Sequence, residues 1–167
     1  DPEQTGYYAA PIGRLTLGNK LKASGKLAFR GGGADSAILL GWFNSHTAVG
    51  APPAHFLGAL IEGPSSVGHY FRPALGTSTG VTRIAEQGPI LRPDGAPHEW
   101  RIEYDPEGTS IVTTTLDGKT VSQALTTEIR KDNAAFDHFG CLSFQRGGLS
   151  VEIYFDDVEY TAQNVHP

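Results

Sequence analysis

The sequence predicts an all-β fold, a two-sheet antiparallel β-sandwich, and three observations carry that expectation. Glycine and proline together occupy 32 of the 167 positions. In a helix interior they cost about 1 and 3 kcal/mol each, so helices of several turns are disfavoured. Several segments alternate apolar and polar side chains with a period of two, the pattern of a strand with one buried face. Between two of these segments stands Asp117-Gly118, a dipeptide that favours a two-residue hairpin of type I′.

The elements follow in order. Residues 1–14 are rich in turn formers, with Tyr7 and Tyr8 expected to pack where the chain enters the fold. Residues 15–21 hold a polar turn at Gly18-Asn19-Lys20. Residues 25–29 form a strand with Leu27 and Phe29 on one face, broken by Gly31-Gly32-Gly33. Residues 36–44 are apolar on both faces, as a central strand buried on each side must be. Residues 56–62 and 67–75 are the next strands, separated by the turn Gly63-Pro64-Ser65-Ser66. In residues 98–105, Trp100, Ile102 and Tyr104 alternate with Glu99, Arg101, Glu103 and Asp105.

Residues 110–116 pair with residues 120–125 across the Asp117-Gly118 turn, and residues 126–135 are polar with room for one helical turn. Residues 139–146 and 151–160 close the sandwich. In the last strand Val151, Ile153 and Phe155 share one parity while Val158 and Tyr160 share the other. A regular strand would send the two sets to opposite faces, so a bulge or bend is expected at Asp156-Asp157. No repeat or long linker divides the chain, which is read as one domain over residues 1–167.

Charge and composition exclude several functions. A net charge of −5 and a pI near 5.6 argue against a nucleic-acid partner, which would want a basic face. No run of 18 apolar residues offers a membrane span. Cys141 is the only cysteine, so neither an intrachain disulfide nor a cysteine-based zinc site can form. The sequence has no methionine and opens Asp1-Pro2, which loss of a signal peptide or excision from a longer protein would each explain. A secreted, periplasmic or cell-surface location is the expectation.

A family likeness lies in the second half: His-Glu-Trp-Arg-Ile-Glu-Tyr-Asp at 98–105, the hairpin Leu116-Asp117-Gly118-Lys119, Phe-Gly-Cys-Leu-Ser-Phe at 139–144, and Ile-Tyr-Phe-Asp-Asp-Val-Glu-Tyr at 153–160. This order resembles concanavalin A-like, laminin-G-like jelly rolls, including bacterial domains described as 3-keto-disaccharide hydrolases. Gly41-Trp42-Phe43-Asn44 and Ile61-Glu62-Gly63-Pro64 resemble a group of exported bacterial sandwich proteins. The likeness implies a jelly roll and carbohydrate as the ligand class. It transfers no catalytic residue, because its motifs are structural.

Candidate chemistry is sparse. Gly76-Thr77-Ser78-Thr79-Gly80 matches a nucleophile elbow, but only seven residues separate it from Gly88-Pro89, too few for the helix such an elbow requires. Glu99 and Glu103 lie about 13 Å apart along a strand rising about 3.3 Å per residue, too far for a retaining glycosidase pair. Glu103 and Asp105 come nearer to inverting spacing, but Arg101 interrupts the row, so a solvated strand face is expected. The six histidines show no metal-ligand spacing. Asp156 and Asp157, carboxylates at a bend, are candidate ligands for a structural calcium.

Sugar rings stack on aromatic faces while polar groups read their hydroxyls. Trp42, Asn44, His69, Tyr70, Arg72 and Arg146 are therefore the candidate ligand-binding residues, Tyr70 the first choice of platform. The expected function is a lectin-like or carbohydrate-binding domain with a polysaccharide or oligosaccharide partner. A hydrolase or lyase on polysaccharide, and a structural or adhesion domain without small ligand, are the alternatives.

Overall fold

Period-two patterning becomes twelve strands and one helical turn in the computed structural model, which describes residues 6–33, 36–48, 53–65, 68–145 and 151–163. The strands are β1 (Gly6–Thr16), β2 (Leu21–Gly32), β3 (Ser36–Phe43), β4 (Phe56–Ser65), β5 (Gly68–Gly76), β6 (Thr82–Ile84), β7 (Ile90–Leu91), β8 (Pro97–Tyr104), β9 (Ile111–Leu116), β10 (Lys119–Ala124), β11 (Ala135–Gln145) and β12 (Val151–Tyr160). The helical turn α1 (Thr127–Arg130) is capped by Thr126, whose side chain accepts from the Ile129 N–H.

Two antiparallel sheets result. Sheet A runs β1-β11-β3-β4-β5-β6, with β7 also pairing β5, and sheet B runs β10-β9-β8-β2-β12. Between them lies the main core. Sheet A contributes Ile38, Leu40, Trp42, Leu57, Ile61, Phe71 and Phe139; sheet B contributes Leu27, Phe29, Trp100, Ile102, Tyr104 and Val112. Alternation along β8 holds as read, with Trp100, Ile102 and Tyr104 buried and Glu99 and Arg101 exposed. The one polar tip among those three that reaches a partner is Tyr104 Oη, which donates to the Leu17 carbonyl at 2.8 Å.

All eight residues of β3 are buried. Its outward set, Ala37, Leu39 and Phe43, joins Phe56, Leu60, Ala74 and Leu142 in a second apolar cluster, with Ala48 packed into it. The outer face of sheet A is therefore closed over its centre. Through that face runs a register row of glycines, Gly140↔Gly41↔Gly58. A Cβ added at Gly41 would come within 2.7 Å of Gly58 Cα, so these strands approach more closely than any side chain permits.

Local signals survive into the structure. Asp117 and Gly118 both have positive φ, +48° and +79°, as a type I′ turn requires. The register of β12 against β2 shifts between Asp156 and Glu159, and Asp157 sits at φ +51°. That bulge turns Tyr160 inward, where it stacks on Phe139 at 4.4 Å, while Val158 stays on the surface.

The first segment departs from expectation. Residues read as turn-rich form β1, an edge strand, and its turn formers fit because Pro11 and Gly13 fall at a register shift between Pro11 and Leu15. Edge strands and bulges tolerate both residues. Tyr8 does not pack; it is 91% exposed. The short strands β6 and β7 are too brief for any periodicity to show in sequence.

Candidate functional site

The structure scatters the residues expected to bind ligand. Trp42 lies on the inner face of β3, fully buried, with Nε1 donating to the Thr161 carbonyl at 3.0 Å. Its ring cannot act as a platform, because β3 is apolar on both sides and this position faces the core. His69 is also buried. Its Nε2 lies 2.9 Å from Ser36 Oγ, while that hydroxyl lies 2.6 Å from the Gly33 carbonyl. The serine proton goes to the carbonyl, which has no proton of its own, so the imidazole donates to Ser36 and Nδ1 is left a buried acceptor without partner. The polarity is opposite to that of a histidine activating a serine nucleophile.

Tyr70 and Arg72 do share the outer face of sheet A. Tyr70 is paired in register with Glu62, and Arg72 Nη2 donates to Glu62 Oε2 at 3.1 Å. Arg72 Nη1 reaches the carbonyls of Glu86 (2.8 Å) and Ala85 (3.4 Å), and its guanidinium lies 5.5 Å from the Tyr70 ring centre. These contacts engage both terminal nitrogens with the protein itself.

Asn44 lies beyond the opposite end of β3, where its Oδ1 accepts from the His46 N–H and its Nδ2 donates to the Ala135 carbonyl. Six residues of strand, about 20 Å, separate the Phe43 end of sheet A from the Ala37 end, which is the end that carries Glu62 and Tyr70. Arg146 lies outside the described residues. Of the described candidates, only Tyr70 and Arg72 come together.

The other motifs resolve into structural roles. Ser78 in the Gly-x-Ser-x-Gly segment is held by Asp132, which accepts from both its N–H and its Oγ at 2.7 Å. Asp137 holds Ser45 in the same way and also bonds His138 Nδ1 at 2.8 Å. Burial pushes the Asp137 carboxyl up, but the hydrogen bonds of His138 and Ser45 outweigh it and leave the group below its ordinary value. Asp117 is lowered in the same manner by His98 and the Glu99 N–H against its own desolvation. Both carboxylates fasten a loop to a strand.

Asp156 and Asp157 are both engaged within the protein. Asp157 Oδ2 is taken by Lys26 Nζ at 2.7 Å, and Asp156 Oδ1 accepts the Asp157 N–H at 2.9 Å. No group of three His, Cys, Asp or Glu side chains suited to a metal occurs among the described residues. Here the Lys26 ammonium supplies the counter-charge to Asp157.

What the fold does assemble is a trough on the outer face of sheet B. Cavities of about 480, 450 and 240 Å³ lie along it. The first two share Ser24, Arg101 and Glu159; the first and third share Lys22 and Glu103. They form one depression, running obliquely from Asp105 and Thr113 to Gly118 and Asp157. Register explains its lining: Glu159↔Ser24↔Arg101↔Thr115 is one row, and Lys22↔Glu103↔Thr113 is the next. The bulge in β12 places Asp157 at one end.

Charges in the trough are interleaved. Lys26 pairs with Asp157, Lys22 lies 3.9 Å from Glu103, and Lys20 binds Asp105 at 2.8 Å. The Lys20 hydrogen bond, with the N–H groups of Glu107 and Gly108, holds the Asp105 carboxyl below its ordinary value, which unsuits it as a general acid. Arg101, Glu99 and Glu159 make no side-chain hydrogen bond or ion pair among the described residues, and all three line the trough. Thr115 and Thr120 hydroxyls meet at 2.9 Å beside it.

Solved structures share this arrangement of two sheets. The chain superposes on an alginate lyase from Pseudomonas aeruginosa with a TM-score of 0.59 at 14% identity, over 88% of this chain and 66% of that one. The fold is the concanavalin A-like jelly roll. Other structures with this jelly roll include the Emp47p carbohydrate recognition domain, at TM-score 0.56 and 12% identity over 96% of this chain and 88% of that one. The mouse laminin α1 LG4-5 pair matches at TM-score 0.55 and 13% identity, over 94% of this chain and 39% of that one. The chain thus spans just under two thirds of the alginate lyase's length. No protein-family model and no curated protein matches the sequence. At these identities the likeness fixes the jelly-roll fold and leaves activity to the site.

The residues lining the trough of this jelly roll were legible as a charged strand face but not as a site. Arg101 and Glu99 were visible on β8; their partners Lys22, Ser24 and Glu159 come from β2 and β12, which no local pattern joins to β8. Tyr154 also goes unselected in sequence. It shares parity with Glu152 and Asp156, opposite to Ile153 and Phe155, and that parity is the signal that places it outside.

Proposed function

We propose that this chain is a carbohydrate-binding domain of an exported protein, with its ligand seated in the trough on sheet B. The observation that supports the reading most is the set of unpaired groups, Arg101 and Glu159 at the junction of the two larger cavities and Glu99 in the second of them. Donors and acceptors set close together, with threonine and serine hydroxyls between them, match the alternating hydroxyls of a sugar. The centre of sheet A's outer face is apolar and covered: Leu39, Phe43, Phe56 and Leu60 there are at most 1% exposed. Proteins of the same fold whose names refer to carbohydrate recognition or alginate cleavage add support at the level of ligand class.

The test is a glycan panel with product analysis by mass. The expected result is saturable binding with no change in glycan mass, weakened by about tenfold or more in Arg101→Ala. Glycan cleavage would replace this reading with an enzyme, and absence of both binding and cleavage would leave a structural or adhesion domain.

A further inference from the structure

Resting on that reading, we infer that the ligand is a linear, uncharged polysaccharide lying along sheet B, with Tyr154 as its stacking platform. Three observations converge on this. The first is length. The connected cavities begin at the Lys22 row and reach the Lys26 row, and Tyr154 pairs in register with Ala28 two residues further along β2. Lys22 to Lys26 is about 13 Å of strand along the cavities, and Ala28, beside Tyr154, extends the track to about 20 Å, room for several sugar rings in line rather than a single terminal one.

The second is charge. Lys22, Lys26 and Arg101 face Glu99, Glu103, Glu159 and Asp157 across the same depression. A polyuronate would bring a carboxylate on every ring against this set, where four carboxylates face three cations and Lys22 and Lys26 already have Glu103 and Asp157 beside them. A neutral chain meets no such opposition, and its hydroxyls can donate to Glu99 and Glu159 and accept from Arg101.

The third is the ring itself. Tyr154 is 56% exposed, the most exposed aromatic on sheet B. Its register neighbour Ala28 is in turn paired with Pro97, so a low floor lies beside the ring where larger side chains would otherwise stand. Its hydroxyl donates to Glu152 at 2.8 Å, and the Arg30 guanidinium stands 5.7 Å from the ring centre. Those two contacts hold the ring in one orientation at low entropic cost to a ligand. Stacking supplies the apolar contact that a polar trough lacks.

The experiment titrates the protein by calorimetry with three sets of probes. These are neutral xylo-, cello- and manno-oligosaccharides from one to six rings, alginate and polygalacturonate oligomers of the same lengths, and the single sugars. Affinity rising with length in a neutral series, little changed by salt and absent for the uronates, is the expected result. Tyr154→Ala and Arg101→Ala should each weaken that binding by about tenfold or more, the usual loss for a central contact, with unchanged melting temperature. Uronates binding as well as neutral chains, or single sugars binding as well as hexamers, would overturn the inference and leave carbohydrate binding standing. Full affinity in Tyr154→Ala would overturn the platform. Silence from every probe would overturn the underlying reading as well.

Discussion

Truncating Trp42 separates a core ring from a binding platform more sharply than any other change. The indole is fully buried, meets Phe139 edge-on with centroids 5.0 Å apart, and donates to the Thr161 carbonyl. Trp42→Ala deletes the ring and leaves a cavity between the sheets, a loss of about 3–5 kcal/mol. A domain of this size changes its melting temperature by about 2–4 °C per kcal/mol, so a fall of about 6–20 °C is expected. Trp42→Phe keeps the packing on Phe139 but removes the N–H, leaving the Thr161 carbonyl without its donor, a loss of about 1–3 kcal/mol. Urea unfolding followed by far-ultraviolet circular dichroism measures both, with the midpoint read at unchanged slope. Glycan affinity per folded molecule should be preserved in Trp42→Phe. Wild-type stability in Trp42→Ala together with lost glycan binding would refute the burial of this ring and the assignment of faces on β3.

Three further outcomes follow from contacts already described. Asp117 and Asp137 are held below their ordinary carboxylate values, so the unfolded chain binds more protons and stability is lost as pH falls below about 4 through the lowered folded values. Melting temperature against pH should show this decline, and Asp137→Asn should be less stable at pH 7 and flatter below pH 4; a steeper acid decline in that variant would contradict the hydrogen-bond account. Burial pushes the thiol of the half-buried Cys141 up to about 12, so at pH 8 the thiolate fraction is on the order of 10⁻⁴ and a disulfide reagent should label it far more slowly in the native chain than on unfolding; native labelling at the unfolded rate would contradict the raised thiol. Because Lys26 occupies Asp157, calcium and chelator should give the same melting temperature, and a rise with millimolar calcium would show that the ion displaces the lysine.

What the sequence disclosed was whatever depends on neighbours in the chain. The type I′ hairpin needs only Asp117 and Gly118, the bulge only the parity of Ile153 and Phe155 against Tyr160, and the burial of Trp100 only the alternation along β8. The face on which Trp42 lies was not disclosed, because β3 is apolar from Ala37 to Phe43 on both faces and parity carries no information there. His69 and Tyr70 are adjacent, so a strand must send one inward; composition favoured grouping them, and β5 separates them. The trough depended on which strands become neighbours. β12 joins β2 across more than a hundred residues, and nothing local in either segment specifies the other.

That order of strands also constrains how the molecule comes into being. β11 inserts between β1 and β3 in sheet A, and β12 completes sheet B beside β2. At a synthesis rate of 5–20 residues per second, β11 follows β3 from the ribosome by about 5–20 s. For that interval β3, with Leu39, Leu40 and Trp42, has no partner on one of its edges, the kind of exposed apolar strand that recruits other chains. Such distant pairings also make folding slow even for the finished chain. A nascent chain halted before residue 135 therefore lacks the strand that joins β1 to the rest of sheet A, and its natural hazard is association with a second nascent copy through the open side of β3.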